Sequence, residues 1–215
     1  EIFELKILQC LNLTWNNLKE LPREFVKLKN LQNLDLFGNR LLELPKEIFE
    51  LNNIQNLNLS KNGLSELPKE LFELRNLRCL SLSRNRLSQL PKELLELKNL
   101  QSLDLSANNF SELPKELFEL NNLQNLNLSR NALSQLPKEV SKLKNLQSLD
   151  LSGNDFQELS KELFRLSRLS RLTFSHYISE NKEKANKIKI IPNEFIQLTI
   201  LNYFKLNENH LDSFY

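Results

Sequence analysis

Only four side chains in this 215-residue sequence carry a thiol or an imidazole, the groups that most often act as activated nucleophiles, general bases or soft metal ligands. The two cysteines, Cys10 and Cys79, could form a disulfide or share a zinc ion if the fold brought them together. For the two histidines, His176 and His210, the sequence suggests no paired nucleophile. The three glycines are far apart and form no phosphate-binding loop. Any catalytic or metal site therefore depends on which of these residues the fold places together.

A second group of residues has the chemistry of protein recognition. Aromatic and arginine side chains dominate the energetic centres of protein interfaces, and clustered basic residues suit an acidic partner. The N-terminal half of the chain concentrates such side chains. They form the first candidate partner-binding site: Trp15, Phe37, Arg40, Lys61, Arg84 and Arg86.

The elements that carry these residues follow from an internal repeat of 23 residues. Leucine or isoleucine recurs at this interval from Leu8 to Leu169, and proline recurs at the same interval from Pro22 to Pro137. Nine additional residues then delay the next proline, Pro192. The repeats predict one domain over residues 1–215, with eight full repeats over 8–199, partial repeats at 1–7 and 201–215, and an insertion near 176–185.

One repeat shows the physical role of each position. Leu103 and Leu105 are two residues apart, so in a strand both point to the same side, which becomes the inward face of a parallel sheet. Asn108 lies at the following turn, where its amide can pair with main-chain groups of neighbouring coils. Pro114 suits the start of a short helix, because it has no amide hydrogen to lose. A single coil cannot bury its leucines, so successive coils must stack.

The repeated unit, LxxLxLxxNxLxxLPxExxxLxN, resembles the leucine-rich repeat family in its 23-residue form. It is most similar to the units of bacterial, spirochaete-type, secreted or surface proteins of that family, and similar units occur in intracellular Ras-regulating proteins and in plants. The resemblance extends over essentially the whole chain. It implies an α/β fold, a right-handed solenoid shaped like a horseshoe, with a parallel sheet on the concave side and short helices on the convex side.

Stacking of the repeats separates the candidate metal ligands. Cys10 and Cys79 would lie three strands apart, roughly 14 Å at about 4.8 Å per strand, which is too far for a disulfide or a shared zinc ion. Asp35, Asp104 and Asp150 would lie on separate coils, so no compact metal cage is expected. We therefore predict no catalytic residues, no cofactor and no metal site.

The far end of the predicted sheet carries a second candidate binding patch: Arg171, Tyr203 and Lys205. The insertion near 176–185 is polar and predicts a protruding loop, which either contacts a partner or is a neutral insertion. This repeat lacks its turn asparagine near Tyr177, and the preceding repeat has Ser160 in place of proline. We therefore expect a less regular stack from about 156 to 190.

The first candidate site also has a purely structural explanation. Trp15 could cover the exposed end of the sheet near the N-terminus. Lys61, Arg84 and Arg86 could be solvated charges that keep a repetitive chain soluble. The sequence leaves both explanations open.

Charge and hydropathy argue against two kinds of interaction. The 29 Lys and Arg residues against 27 Asp and Glu give a net charge of +2, without the concentrated basic excess of a nucleic-acid-binding protein. No apolar run approaches the roughly 18 residues of a membrane-spanning helix.

The cysteine count excludes a third class of protein. Two cysteines are too few for the disulfide framework of a small secreted domain. A protein partner is the remaining expectation.

Two function classes follow from the resemblance. The first is a non-enzymatic protein-interaction module, secreted or displayed on a bacterial surface, that binds a host receptor or adhesion protein and serves virulence. The second is the substrate-recognition domain of a larger enzyme, or of an intracellular signalling scaffold in the cytoplasm. Neither end of the repeats shows a polar cap, so we also expect flanking structure or self-association, with Phe214 and Tyr215 covering part of the last coil.

Overall fold

Short parallel strands, stacked one per repeat, form a continuous sheet. The computed structural model describes residues 2–175, 177–179, 182–184, 186–207, 209 and 211–213. In spatial order the sheet contains β1 (Cys10–Asn12), β2 (Asn33–Asp35), β3 (Asn56–Asn58), β4 (Cys79–Ser81), β5 (Ser102–Asp104), β6 (Asn125–Asn127), β7 (Ser148–Asp150), β8 (Arg171–Thr173) and β11 (Tyr203–Lys205). Neighbouring strands pair in register at the 23-residue interval, as Leu103 does with Leu126. Across the insertion, Arg171 pairs with Tyr203.

Single-turn 3-10 helices line the convex side between the strands. Their bounds are η1 (Ile2–Glu4), η2 (Arg23–Lys27), η3 (Lys46–Glu50), η4 (Lys69–Glu73), η5 (Lys92–Glu96), η6 (Lys115–Glu119), η7 (Lys138–Lys142), η8 (Lys161–Arg165) and η9 (Asn193–Gln197). Pro114 directly precedes η6 with φ −66°, and Leu117 in that helix is fully buried. Leu103 and Leu105 are buried on the opposite, strand side of the same coil. The predicted right-handed horseshoe solenoid is confirmed, with 3-10 turns as its convex helices.

A ladder of buried asparagines joins neighbouring coils, as predicted. Asn108 accepts the Leu87 N–H through Oδ1 at 3.0 Å. Its Nδ2 donates to the carbonyls of Leu82 and Leu105, both at 3.0 Å. The same three-way pairing recurs at Asn39, Asn62, Asn85, Asn131 and Asn154. Each asparagine thus satisfies main-chain groups in its own coil and in the preceding one.

The repeat that carries the insertion keeps its ladder asparagine, contrary to the prediction of a lost turn signal. Asn186 accepts the Phe156 N–H at 3.1 Å and donates to the carbonyls of Leu151 and Phe174 at 2.9 and 3.1 Å. The 23-residue interval predicts the ladder asparagine at position 177, where the chain has tyrosine. Asn186 lies nine residues later. The insertion therefore displaces the asparagine along the chain without removing it from the stack.

The insertion contains a pair of strands, where the sequence predicted only a protruding loop. β9 (Tyr177–Ser179) and β10 (Lys182–Lys184) pair antiparallel, apart from the main sheet. Whether the insertion contacts a partner stays a prediction. Several residues named above lie outside the described part of the chain: His176, Glu180, Asn181, Ala185, His210, Phe214 and Tyr215.

Ser160 replaces a proline without disturbing the helix that follows. η8 begins at the next residue, and Ser160 Oγ donates to Glu162 Oε2 at 2.7 Å. Its backbone is extended, with φ −62°, close to the angle that proline would impose. The expected irregularity from about 156 to 190 is therefore wrong for η8 and β8, which keep the register of the stack, and it is confined to the inserted strands β9 and β10. Among the described residues, no helix is long and apolar enough to cross a membrane.

Candidate protein-interaction surface

The turn after each strand places one residue in the left-handed region of the backbone. The seven described residues at this position, here called the turn column, have positive φ angles: Trp15, Gly38, Lys61, Arg84, Ala107, Arg130 and Gly153. Glycine adopts this conformation without steric cost. Other residues are disfavoured there by about 1–2 kcal/mol. The turn therefore holds Trp15, Lys61, Arg84 and Arg130 in a backbone conformation that these residue types disfavour.

Main-chain hydrogen bonds impose this conformation, whatever the side chain. The N–H of Lys61 donates to the Ser83 carbonyl of the next coil at 2.8 Å. On the strand side of the same turn, Asn58 Oδ1 accepts the Ser60 N–H at 3.1 Å. The Lys61 side chain makes none of these bonds, so the turn does not need it.

Trp15 lies over Gly38 and against Phe37. A Cβ atom added to Gly38 would be only 3.0 Å from Trp15 Cε3, so the glycine provides space for the indole as well as the positive φ of 70°. The Trp15 and Phe37 rings meet edge to face, with centroids 5.2 Å apart. These contacts fix the indole, yet 65% of Trp15 remains exposed. The result is a pre-positioned aromatic surface on the concave rim.

Lys61 extends this cluster into the third repeat. Its Nζ lies 3.9 Å from the centroid of a Trp15 ring, a cation–π contact. Trp15 therefore packs along the rim towards later repeats, away from the free edge of β1. This geometry disfavours the structural explanation in which the indole covers the open end of the sheet.

Two arginines continue the positive charge along the turn column. Burial lowers the pKa of Arg130, the nearby charge of Arg84 lowers this pKa further, and Asp150 opposes the shift. Only Ala107 separates the two arginines in the column, so little side-chain bulk lies between them. The two arginines are two coils apart, about 10 Å at about 4.8 Å per strand, and Asp150 offsets part of their repulsion.

The structure places Arg40 and Arg86 outside the contact cluster. Both follow the ladder asparagine of their repeat, and both are exposed. Their N–H groups donate backwards, to Leu18 O at 2.9 Å and Leu64 O at 2.8 Å, whereas turn-column N–H groups donate to the following coil. Of the six predicted residues, the fold thus brings Trp15, Phe37 and Lys61 into contact and puts Arg84 on the adjoining coil.

The concave floor contains two shallow hollows. The N-terminal hollow, of about 520 Å³, is lined by the first five strands and contains both cysteines. Cys10 and Cys79 are free and exposed, and Asn33 Nδ2 donates to Cys10 Sγ at 3.1 Å. The C-terminal hollow, of about 540 Å³, is lined by β5 to β8 and β11 and contains the second candidate patch.

The three residues of the second patch lie together at the far end of the sheet. The Arg171 guanidinium lies 4.1 Å from the centroid of the Tyr203 ring. Lys205 is on the same strand as Tyr203, two residues on, and pairs in register with Thr173. All three side chains are exposed, so the sequence grouped them correctly on one accessible surface.

The aspartates of the sheet have a structural function. Asp35, Asp104 and Asp150 each accept, through Oδ1, the N–H two residues later, at 3.0, 2.9 and 2.9 Å. They cap the turn that leads into the turn column. In the described ranges, no group of three or more His, Cys, Asp or Glu side chains could hold a metal ion.

Sequence reasoning missed two features of this surface. The left-handed conformation of the turn column was signalled by Gly38 and Gly153, which occupy equivalent repeat positions. Arg130 shares that position and lines the C-terminal hollow, but it was left out of both predicted patches.

The chain belongs to the leucine-rich repeat family. A family model described as "Leucine rich repeat" matches residues 1–41, 52–110 and 98–156. Proteins of this family generally mediate protein–protein interactions. Among curated proteins, none matches the sequence.

Several solved structures share the fold. A leucine-rich repeat protein of Leptospira interrogans is 33% identical over 97% of this chain and 62% of that chain, with a TM-score of 0.63. The plant peptide hormone receptor RGFR1, in complex with RGF2, is 33% identical over 97% of this chain and 37% of that chain, with a TM-score of 0.75. An internalin, InlF of Listeria monocytogenes, is 23% identical over 96% of this chain and 62% of that chain, and its TM-score of 0.79 shows the fold alone. The chain spans less than two thirds of each of these proteins.

Proposed function

We propose that the chain is a non-enzymatic protein-interaction module that binds its partner at the N-terminal part of the concave rim. The observation that supports this function is the contact cluster of the exposed Trp15 with the half-buried Phe37 and Lys61. The turn itself does not require these side chains, and its backbone would favour glycine at two of the three coils involved. Arg84 adjoins the cluster, and Arg40 and Arg86 lie at its margin.

The cluster combines the two contributions that a protein interface needs. Trp15 and Phe37 offer apolar area, worth about 25 cal/mol for each Å² removed from water before entropic losses. Lys61 and Arg84 can pair with carboxylates and orient the partner. Because the rings are already fixed by Gly38 and by each other, little side-chain entropy is lost on binding. The matching partner surface is apolar at its centre and acidic around it.

The biological setting that we propose is a bacterial secreted or surface protein that binds host receptor or adhesion proteins. The 33% identity with a protein of Leptospira interrogans supports a bacterial setting. The plant receptor solved in complex with RGF2 supports binding through this fold. The alternative, a recognition domain of a larger enzyme or cytoplasmic scaffold, would place the chain inside the cell. Cell fractionation with protease shaving of intact cells separates the two: the proposal requires the chain in the culture medium or cleaved on intact cells, and a chain found only in the protected cytoplasmic fraction would contradict it.

Surface plasmon resonance against a panel of purified receptor and adhesion ectodomains tests the binding function. We expect one or more ectodomains to bind the parent chain and to bind a Trp15→Ala, Phe37→Ser variant at least tenfold more weakly, about 1.4 kcal/mol. Ile200→Ser is the control, because Ile200 is also exposed, at 51%, but lies next to the last strand, at the other end of the stack. Equal affinities for the parent and the double variant would exclude this site.

Self-association through the ends of the stack is a separate proposal. Ile7 at one end and Ile196 near the other are 87% and 82% exposed, which is unfavourable in water. We expect Ile7→Ser with Ile196→Ser to lower the average mass measured by light scattering at high concentration. A parent chain that stays monomeric at all concentrations would contradict this.

A further inference from the structure

Two buried hydroxyl groups in the C-terminal hollow have no hydrogen-bond partner. Thr173 and Ser175 are 9% and 7% exposed, and their Oγ1 and Oγ atoms are the unpaired buried side-chain atoms found among the described residues. Both residues line the hollow. Unpaired buried hydroxyls are rare because they lose their hydration without compensation.

Some hydroxyls at the same positions in earlier repeats are paired. Ser129 Oγ donates to Asn127 Oδ1 at 2.8 Å, and Ser60 Oγ bonds to Ser81 Oγ at 2.6 Å. Thr173 occupies the place that Asn127 has in its repeat, and it lacks the side-chain amide that would pair Ser175. The unpaired hydroxyls of Thr173 and Ser175 therefore arise only in β8 and the turn after it. The repeat fold does not require unpaired hydroxyls at these positions.

Cationic side chains surround these hydroxyls. Arg171 lies two residues before Thr173, on the same face of β8, and the Tyr203 ring orients its guanidinium. Lys205 is the register partner of Thr173 on β11, about 4.8 Å away between strands. Arg130 lines the same hollow. The hollow also contains two carboxylates, Asp104 and Asp150, so its lining carries three cations against two anions, with Arg171 and Lys205 at the end next to the hydroxyls.

We propose that this hollow binds the acidic side chains of an extended peptide segment of a protein partner. Carboxylate oxygens accept hydrogen bonds from a guanidinium fork, an ammonium group and hydroxyl groups, which are the donors present. Arg171 and Lys205 make the first ion pairs. Lys205 is exposed and is the register partner of Thr173, so a carboxylate that pairs with Lys205 is held beside the Thr173 hydroxyl. The inference rests on the proposed function only in requiring a protein partner, because it uses a different part of the concave face.

The dimensions of the hollow set the length of the segment. Its five strands, β5 to β8 and β11, span four inter-strand spacings, about 19 Å. An extended peptide rises about 3.3 Å per residue, so about six residues cross the hollow. A blocked, fluorescein-labelled hexaglutamate peptide is therefore the probe, with hexaglutamine as its uncharged counterpart.

Fluorescence anisotropy with these peptides tests the assignment. We expect hexaglutamate to bind at least tenfold more tightly than hexaglutamine, and Arg171→Gln with Lys205→Gln to remove at least nine tenths of that affinity. Lys92→Gln with Lys115→Gln is the charge-matched control on the convex helices, and it should change binding less than twofold. Equal losses in the two double variants would mean general charge attraction and would overturn the proposal. Inorganic phosphate that competes as strongly as the peptide would also overturn it, in favour of a small-anion site.

Thr173→Val separates a ligand-binding hydroxyl from a structural one. Valine has nearly the same shape but no hydroxyl, so we expect at least threefold weaker hexaglutamate binding with a melting temperature equal to or above that of the parent. A lower melting temperature with unchanged binding would show that the hydroxyl serves the fold and would overturn its assigned role. Trp15→Ala should leave hexaglutamate binding unchanged, so this proposal and the rim proposal can fail separately.

Discussion

Replacement of one ladder asparagine is expected to show how strongly the stack depends on that column. Asn85 is 8% exposed, and its Oδ1 accepts the Leu64 N–H at 3.1 Å. Its Nδ2 donates to the carbonyls of Leu59 and Leu82, both at 3.0 Å. Asn85→Leu therefore leaves one N–H and two carbonyls without these partners, in a site that excludes water.

The unpaired N–H dominates the cost of this substitution. A buried polar group without a partner costs about 1–3 kcal/mol, and each carbonyl costs less than a donor does because it has a second lone pair. We expect Asn85→Leu to lower the free energy of unfolding by about 3 kcal/mol. For a chain of this length, that corresponds to a fall of about 6–12 °C in melting temperature.

The first asparagine of the series supplies the control. Asn16 is exposed and donates to the Leu13 and Thr14 carbonyls of its own coil. Asn16→Leu should therefore cost less than about 1 kcal/mol. Thermal unfolding followed by circular dichroism measures both variants. Melting temperatures within 2 °C of each other would refute the assigned role of the ladder.

Three further substitutions test the turn column and one titrating group. Gly38→Ala should lower the free energy of unfolding by about 1–2 kcal/mol, because position 38 has a positive φ. The added methyl group should also push the single tryptophan, Trp15, into more solvent and shift its fluorescence emission to the red. Unchanged emission would contradict the packing of Trp15 on Gly38. Arg84→Gly should melt at or above the temperature of the parent, and a fall of more than 2 °C would mean that the arginine stabilises the fold. The hydrogen bond from Ser160 lowers the pKa of Glu162, so the stability it contributes is present at neutral pH and is lost as the pH falls through the folded-state pKa. Ser160→Ala should raise the pKa of Glu162 in an NMR titration, and no change would exclude this cause.

The repetition explains which features were predictable from sequence. Leu103, Leu105 and Asn108 recur with fixed spacing, so their burial and pairing follow from the need of each coil to stack on the next. The grouping of Trp15 with Phe37 and Lys61 follows in the same way, because residues about 23 apart fall on adjoining coils and Trp15 and Lys61, 46 apart, share a repeat position two coils apart.

Features that depend on a particular neighbour were not predictable. The place of Asn186 in the ladder depends on how the inserted residues leave and rejoin the stack, which spacing alone does not show. The unpaired hydroxyl of Thr173 depends on which side chains the adjoining repeats carry. Asp104 was considered only as a metal ligand, and the turn N–H that its Oδ1 accepts reflects a preference set by local backbone geometry.

The central claim is that a partner contacts the rim at Trp15, and fluorine NMR tests it most directly. The chain has one tryptophan, so incorporation of 5-fluorotryptophan gives a single resonance that reports this site alone. Trp15 is 65% exposed in the free chain, so burial by a partner must change its surroundings. On addition of an ectodomain that binds the chain, we predict a shifted or broadened resonance and a smaller solvent isotope shift. Binding by that ectodomain with an unchanged resonance would contradict the claim.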